Sequence, residues 1–167
     1  QTSAFAGEKT YDVDAFHQIS ASGAGELYIT IGESQSVLVE AKDRYLDKME
    51  VEVDNGRLKL RLKSRGSWFG SSPSYKATIT VPSLDYLGLS GATEATATGI
   101  DAGDFEYRAS GASETSLSGR CQSLTVRVSG ASELNAQDFV CVDAVVKGSG
   151  ASELEIHATG DLEVSAS

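Results

Sequence analysis

Ser90-Gly91-Ala92-Thr93-Glu94, Ser110-Gly111-Ala112-Ser113-Glu114, Ser129-Gly130-Ala131-Ser132-Glu133 and Ser149-Gly150-Ala151-Ser152-Glu153 are four copies of one phrase, their first residues 20, 19 and 20 positions apart. A period of this size marks a repeat architecture, in which each unit buries its apolar side against the next. An isolated relative, Ser22-Gly23-Ala24-Gly25-Glu26, stands near the start, and a further copy would begin at Ser167, so the array reads as cut rather than capped.

Working outward from the phrase, the residues five and three before it are mostly apolar: Phe105 and Tyr107, Leu124 and Val126, Ala144 and Val146, Leu162 and Val164. Beyond it, Leu134 and Ala136, Leu154 and Ile156, and Leu27 and Ile29 alternate with polar residues such as Asn135 and Glu155. Period-two alternation is the pattern of a half-buried strand, so each unit reads as strand, corner, strand. In the corner, Gly takes backbone angles closed to other residues, Ala is expected to occupy the inside of the bend, and Ser to bond nearby backbone. Stacked coils would place equivalent residues about 4.8 Å apart, giving a Ser ladder and an Ala column.

The expectation is an all-β protein: a parallel β-helix-like solenoid of about 19–20 residues per coil over residues 86–167, preceded over 1–85 by β-rich structure containing a hairpin, the whole forming a single domain. With three faces of roughly five residues each, such a coil has room inside only for side chains, so no cofactor is expected. At 167 residues the chain is long enough for one sizeable core. Seventeen Gly and few Leu argue against a helical bundle.

The hairpin is read from Met49, Val51 and Val53 alternating into Asn55-Gly56, and Leu58, Leu60 and Leu62 alternating out. Asn-Gly is the strongest two-residue hairpin signal. Pairing about it sets Asp54 against Arg57, Glu52 against Lys59 and Glu50 against Arg61, each opposite-charge pair contributing about 0.2–1 kcal/mol. Residues 64–74 then form a Ser- and Gly-rich connector that carries Trp68 and Phe69, before alternation resumes over Tyr75 to Val81. These two aromatics are candidate partner-binding residues; the competing reading folds them back over an open end of the stack.

Fourteen Lys and Arg against twenty-four Asp and Glu give a net charge of −10, which repels phosphate backbones and anionic lipid. Nucleic acid is excluded as a partner. No run approaches the roughly 18–20 apolar residues of a spanning helix, so no membrane insertion is expected. The first residue, Gln1, fits a mature end left after signal-peptide removal.

Catalytic and metal sites are expected to be absent. His17 and His157 lie at opposite ends of the chain, and there is no zinc spacing or phosphate-cradling loop. The serines lack a neighbouring base. The Glu94, Glu114, Glu133 and Glu153 column would stack carboxylates about 5 Å apart, repelling by roughly 1 kcal/mol per neighbour in water. A divalent cation would relieve that, but splaying into solvent is the favoured reading, since calcium takes six or more oxygens. Cys121 and Cys141 each lie eight residues before the next corner serine. They fall in one column on neighbouring coils, as a disulfide or as two stacked thiols.

The Ile-Ser-Ala-Ser-Gly-Ala-Gly opening (19–25), the Asn-Gly hairpin, a Thr-Val-Pro-Ser-Leu step (80–84) and the serial Ser-Gly-Ala phrases follow one another in order. In this the chain resembles the "putative auto-transporter adhesin, head GIN domain" family, found mainly among Bacteroidetes, from about Phe16 to Ser167. The resemblance implies a β-helix-like fold and export to the periplasm, cell surface or exterior. It brings no known activity and no catalytic or ligand residues. Several corners here carry Ser or Thr where the family often has a second Gly.

Three functions follow as expectations. The first is an adhesin-like binding or scaffold module for an unknown protein or glycan at the cell envelope. The second is a carbohydrate-active enzyme using Asp101, Asp104, Asp138 or Asp143 with Arg108, Arg120 or Arg127, whose scatter disfavours it. The third is a structural spacer whose open strand edges stack on another copy as a homo-oligomer.

Overall fold

The alternating segments become strands, one after another, in a computed structural model that describes residues 7–63 and 73–167. In chain order they are β1 (Gly7–Thr10), β2 (Gln18–Ser22), β3 (Gly25–Ile31), β4 (Ser36–Ala41), the single-turn helix α1 (Asp43–Leu46), β5 (Met49–Asp54), β6 (Arg57–Leu62) and β7 (Tyr75–Val81). There follow β8 (Tyr86–Leu89), β9 (Glu94–Ala109), β10 (Glu114–Val128), β11 (Glu133–Gly148), β12 (Glu153–Ala158) and β13 (Leu162–Ala166). The architecture is all-β, and these thirteen strands form one mixed, curled sheet.

Two parallel ladders run through it. Before the corners, β6, β2, β8 and the second halves of β9, β10 and β11 lie side by side, ending on β13. After the corners, β7, β3 and the first halves of β9, β10 and β11 do the same, ending on β12. Antiparallel strands extend both ladders at the N-terminal side: β5 on β6, and β4 then β1 on β7. The relative at 22–26 is therefore not isolated. Its Glu26 stands opposite Glu94, and Ala92 N–H donates to the Gly23 carbonyl at 3.1 Å, so residues 32–85 are an excursion between two adjacent corners.

Corner chemistry differs from the expectation in which group faces inward. Ala92, Ala112, Ala131 and Ala151 are exposed, while Thr93, Ser113 and Ser132 are buried. The strand alternation fixes this parity, because the fourth corner residue is in phase with the buried positions that follow it. Its hydroxyl donates to the carbonyl three residues back: Thr93 to Ser90 at 2.7 Å, Ser113 to Ser110 at 3.1 Å and Ser132 to Ser129 at 3.0 Å. A buried hydroxyl needs such a partner, and the local carbonyl supplies it without interrupting the ladder. The first serines face outward instead.

The corner glycines meet two demands. Gly91, Gly111, Gly130 and Gly150 have φ between 78° and 84°. A Cβ on Gly111, Gly130 or Gly150 would also lie 2.6–2.7 Å from the carbonyl oxygen of the preceding corner's glycine. Gly23, first in the column, shares the conformation at φ 93° but would meet nothing within 4 Å.

The hairpin has the expected register, with Asn55 and Gly56 both at positive φ. Its expected charge pairs are realised once, as Glu50 with Arg61 at 2.9 Å. Lys59 reaches diagonally to Asp54. Arg57 turns toward β2, donating to Gln18 at 3.1 Å. The reason is that β6 has a parallel neighbour on its other edge, which offers competing partners.

Inside, Phe105 and Phe139 meet edge to face with centroids 5.2 Å apart, a favoured aromatic geometry. The buried Tyr107 hydroxyl pairs with Thr115 at 2.6 Å, and burial pushes its pKa up to about 12. Cys121 and Cys141 stand opposite one another on β10 and β11 and are joined as a disulfide, their Cα atoms 4.5 Å apart.

Two stability measurements follow. Gly23→Ala, which meets only the backbone penalty, is expected to cost about 1–2 kcal/mol. Gly111→Ala is expected to cost about 1–3 kcal/mol more, because overpacking against the neighbouring corner adds to that penalty. Equal shifts of the urea midpoint for the two variants would refute the close-stacking account. Replacing both cysteines by Ala is expected to remove about 3 kcal/mol for a loop of this size, and an unfolding curve superimposable on that of the wild type would count against a bridge.

Candidate binding groove

Strand parity turns the residue two before each corner serine out of the sheet. Across the ladder this column reads Ser20, Gly88, Arg108, Arg127, Lys147 and Ser165, each opposite the next. The corner serines Ser90, Ser110, Ser129 and Ser149 form a second column beside it. Between the two lies the backbone of Leu89, Ala109 and Val128, whose side chains are buried in the core. Two walls and a floor result: a groove of about 640 Å³ crossing the strands, cationic on one side and hydroxylated on the other.

Its cations differ in how far they are already neutralised. Arg108 Nε lies 2.9 Å from Glu106 Oε1, and Arg127 Nε lies 3.9 Å from the same oxygen. Hydrogen bonding to Glu106, reinforced by its charge, holds the Arg108 pKa above its ordinary value. Lys147 has no ionic partner among the described residues. Both guanidinium side chains remain about half exposed, 52% for Arg108 and 47% for Arg127, so the column is accessible to a ligand. The four serine hydroxyls make no hydrogen bond among the described residues, leaving donors and acceptors unused.

Tyr86 lines the groove toward its β2 end. A Cβ on Gly88 would lie 2.6 Å from the Tyr86 hydroxyl, so the ring occupies the space of the missing side chain. Arg57 covers the ring in turn, its guanidinium carbon 3.9 Å from the centroid, a cation–π contact. Tyr86 is thus buried under Arg57, and its ring is not free for stacking.

The glutamate column extends to five, with Glu26, Glu94, Glu114, Glu133 and Glu153 in register on the opposite side of the corners. Those four array glutamates are exposed, and among the described residues no three metal-ligating side chains converge. The aspartates considered for sugar chemistry are not brought together in the groove. Asp101 pairs with Arg120 at 2.9 Å, which lowers its pKa, and Asp143 accepts the Asp161 N–H. Trp68 and Phe69 lie outside the described residues.

Sequence reading named Arg108 and Arg127 but did not align them, and it passed over Lys147. Counting back two from Ser110, Ser129 and Ser149 finds all three.

No curated protein matches the chain. Among solved structures, a putative adhesin from Bacteroides fragilis is similar with a TM-score of 0.64 at 17% identity, covering 95% of this chain and 96% of that one. A putative lipid binding protein from Parabacteroides distasonis has a TM-score of 0.57 at 14% identity, covering 96% and 94%. A putative adhesin from Parabacteroides distasonis has a TM-score of 0.51 at 12% identity, covering 95% and 96%. At these identities the likeness is one of fold. The family model described as "Putative auto-transporter adhesin, head GIN domain" matches residues 15–167, and the chain belongs to that family.

Proposed function

We propose that the chain is an exported, non-catalytic binding module that presents the groove to a partner at the cell envelope. The observation that carries this is the combination of Lys147 and serine hydroxyls, without ionic or hydrogen-bond partners among the described residues, facing each other across an open floor. Exposed polar groups whose only partner is water are what a binding surface offers, because a ligand can take them up without breaking protein contacts.

The finer architecture in this reading is a parallel β-helix-like winding of about 20 residues per turn. Corner-to-corner hydrogen bonds such as Ala112 N–H to Gly91 O and Ala131 N–H to Gly111 O support it. Export is supported by the family's adhesin description and by the disulfide, which persists in oxidising compartments. Among the described residues no helix is long and apolar enough to cross a membrane.

Absence of catalysis is supported by the lining, which holds no carboxylate and no imidazole to serve as general acid or base. The solved structure described as a lipid binding protein suggests a second class of ligand. In this groove the floor is hydrogen-bonded backbone and the outward side chains are polar, so a lipid would be held by its headgroup.

The test is adhesion of labelled protein to isolated envelope polysaccharide, comparing two bulky substitutions of equal size. Ser129→Tyr in the groove wall is expected to weaken binding at least about tenfold, whereas Ser116→Tyr on the glutamate side leaves it unchanged. Equal loss from both, or release of sugar fragments by the wild type, would overturn the proposal.

A further inference from the structure

We infer that the groove's ligand is a sparsely charged acidic glycan, a hydroxyl-rich chain carrying carboxylates at intervals and lying along the Arg108, Arg127 and Lys147 column. This rests on the binding reading above and adds the chemical class of the ligand.

Geometry supplies the first argument. The groove runs across successive strands, from Ser20 on β2 to Ser165 on β13, a length of about 24 Å at the usual strand spacing. It therefore suits an extended polymer better than a single small molecule. Neighbouring cations stand about 4.8 Å apart, and Arg108 and Lys147 about 10 Å apart. A repeating wall of cations beside a repeating wall of hydroxyls fits a repeating chain with both kinds of group.

Charge supplies the second. In a protein of net charge −10, three cations aligned without an intervening acid are a local reversal of sign. Glu106 already takes part of the charge of Arg108 and Arg127, which leaves Lys147 the most available. At physiological salt the local field reaches about 8 Å before screening, enough to hold an anion in the groove. A duplex nucleic acid, with one charge per about 1.7 Å, would meet the repulsion of the remaining surface along its whole length. A chain with widely spaced carboxylates meets far less of it.

The floor supplies the third. Residues 89, 109 and 128 lie within parallel ladders, their backbone engaged with the neighbouring strands. A peptide seeking to add as a strand finds no free main-chain partners here. Nor is there a free aromatic face, because Tyr86 is covered by Arg57. A neutral sugar relying on stacking is therefore poorly served, and recognition falls to the charges and hydroxyls.

The experiment uses the full chain and an oligosaccharide alternating a uronic acid with a neutral sugar, titrated by calorimetry beside its carboxyl-reduced, neutral counterpart. Binding of the acidic form is expected to exceed the reduced form at least about tenfold, and to fall at least about tenfold in the Arg127→Ser, Lys147→Ser double variant. It is also expected to fade between about 0.05 and 0.5 M salt as screening tightens. The thermal midpoint of the variant reports that it has folded. Equal binding of acidic and reduced forms, abolished by Ser129→Tyr, would overturn the acidic class while leaving the groove as a binding site. Acidic-glycan binding that neither the double variant nor Ser129→Tyr disturbs would overturn the groove reading itself. Binding only to phosphatidylglycerol vesicles, only to a duplex oligonucleotide, or to no probe would overturn the acidic-glycan inference.

Discussion

Everything in this fold depends on one close approach: the backbone of each corner glycine against the backbone of the preceding corner's glycine. Ala92 N–H bonds to Gly23 O, Ala112 N–H to Gly91 O and Ala131 N–H to Gly111 O, at 2.9–3.1 Å. A side chain in that column would have to displace a carbonyl. The approach fixes the register of the ladders on both sides of the bend, because a one-residue slip would turn every buried side chain outward. Phe105, Leu124 and Ala144 then stack in one buried column, and Thr115 with Leu134 in another.

Fixing the corner by backbone contact leaves a polar problem inside it. A sharp bend removes a carbonyl from the ladder, and buried carbonyls want a donor. Thr93, Ser113 and Ser132 supply one from within the same corner. The disulfide between Cys121 and Cys141 acts on a different quantity. It ties β10 to β11 covalently and so restricts the unfolded chain more than it shapes the folded one.

Much of this was legible in the sequence, and the parts that were not share a cause. Phase is visible: Phe105, Tyr107, Leu124 and Val126 announce their burial by alternation, and Asn55-Gly56 announces its turn. What alternation cannot give by itself is the phase through a bend. Ala is therefore expected inside the bend, whereas it is exposed and the fourth corner residue is the buried one. Nor does local pattern reveal partners far apart in sequence. The corner at 22–26 rests against that at 90–94 across the whole of residues 32–85, which one-dimensional periodicity treats as a gap. Arg57 likewise leaves its expected partner Asp54 for Gln18 and Tyr86, because the neighbouring parallel strands were invisible to a hairpin considered alone. The groove was hidden for the same reason, since its cations are neighbours only once the strands pair.

The division between inward and outward residues also accounts for how such a fold can persist at low identity. The requirements for stacking fall on the corner glycine, the inner hydroxyl and the buried apolar positions. The outward columns carry none of them. Arg108, Arg127 and Lys147 contribute at most surface ion pairs, worth little to stability, so they are free to change while the sheet beneath them stays the same. Structures at 17% and 14% identity that still cover almost the whole chain are what such a separation allows. It follows that likeness of fold alone carries little information about ligand. The chemistry of recognition has to be read column by column, from the residues each chain places on the outward face of its sheet.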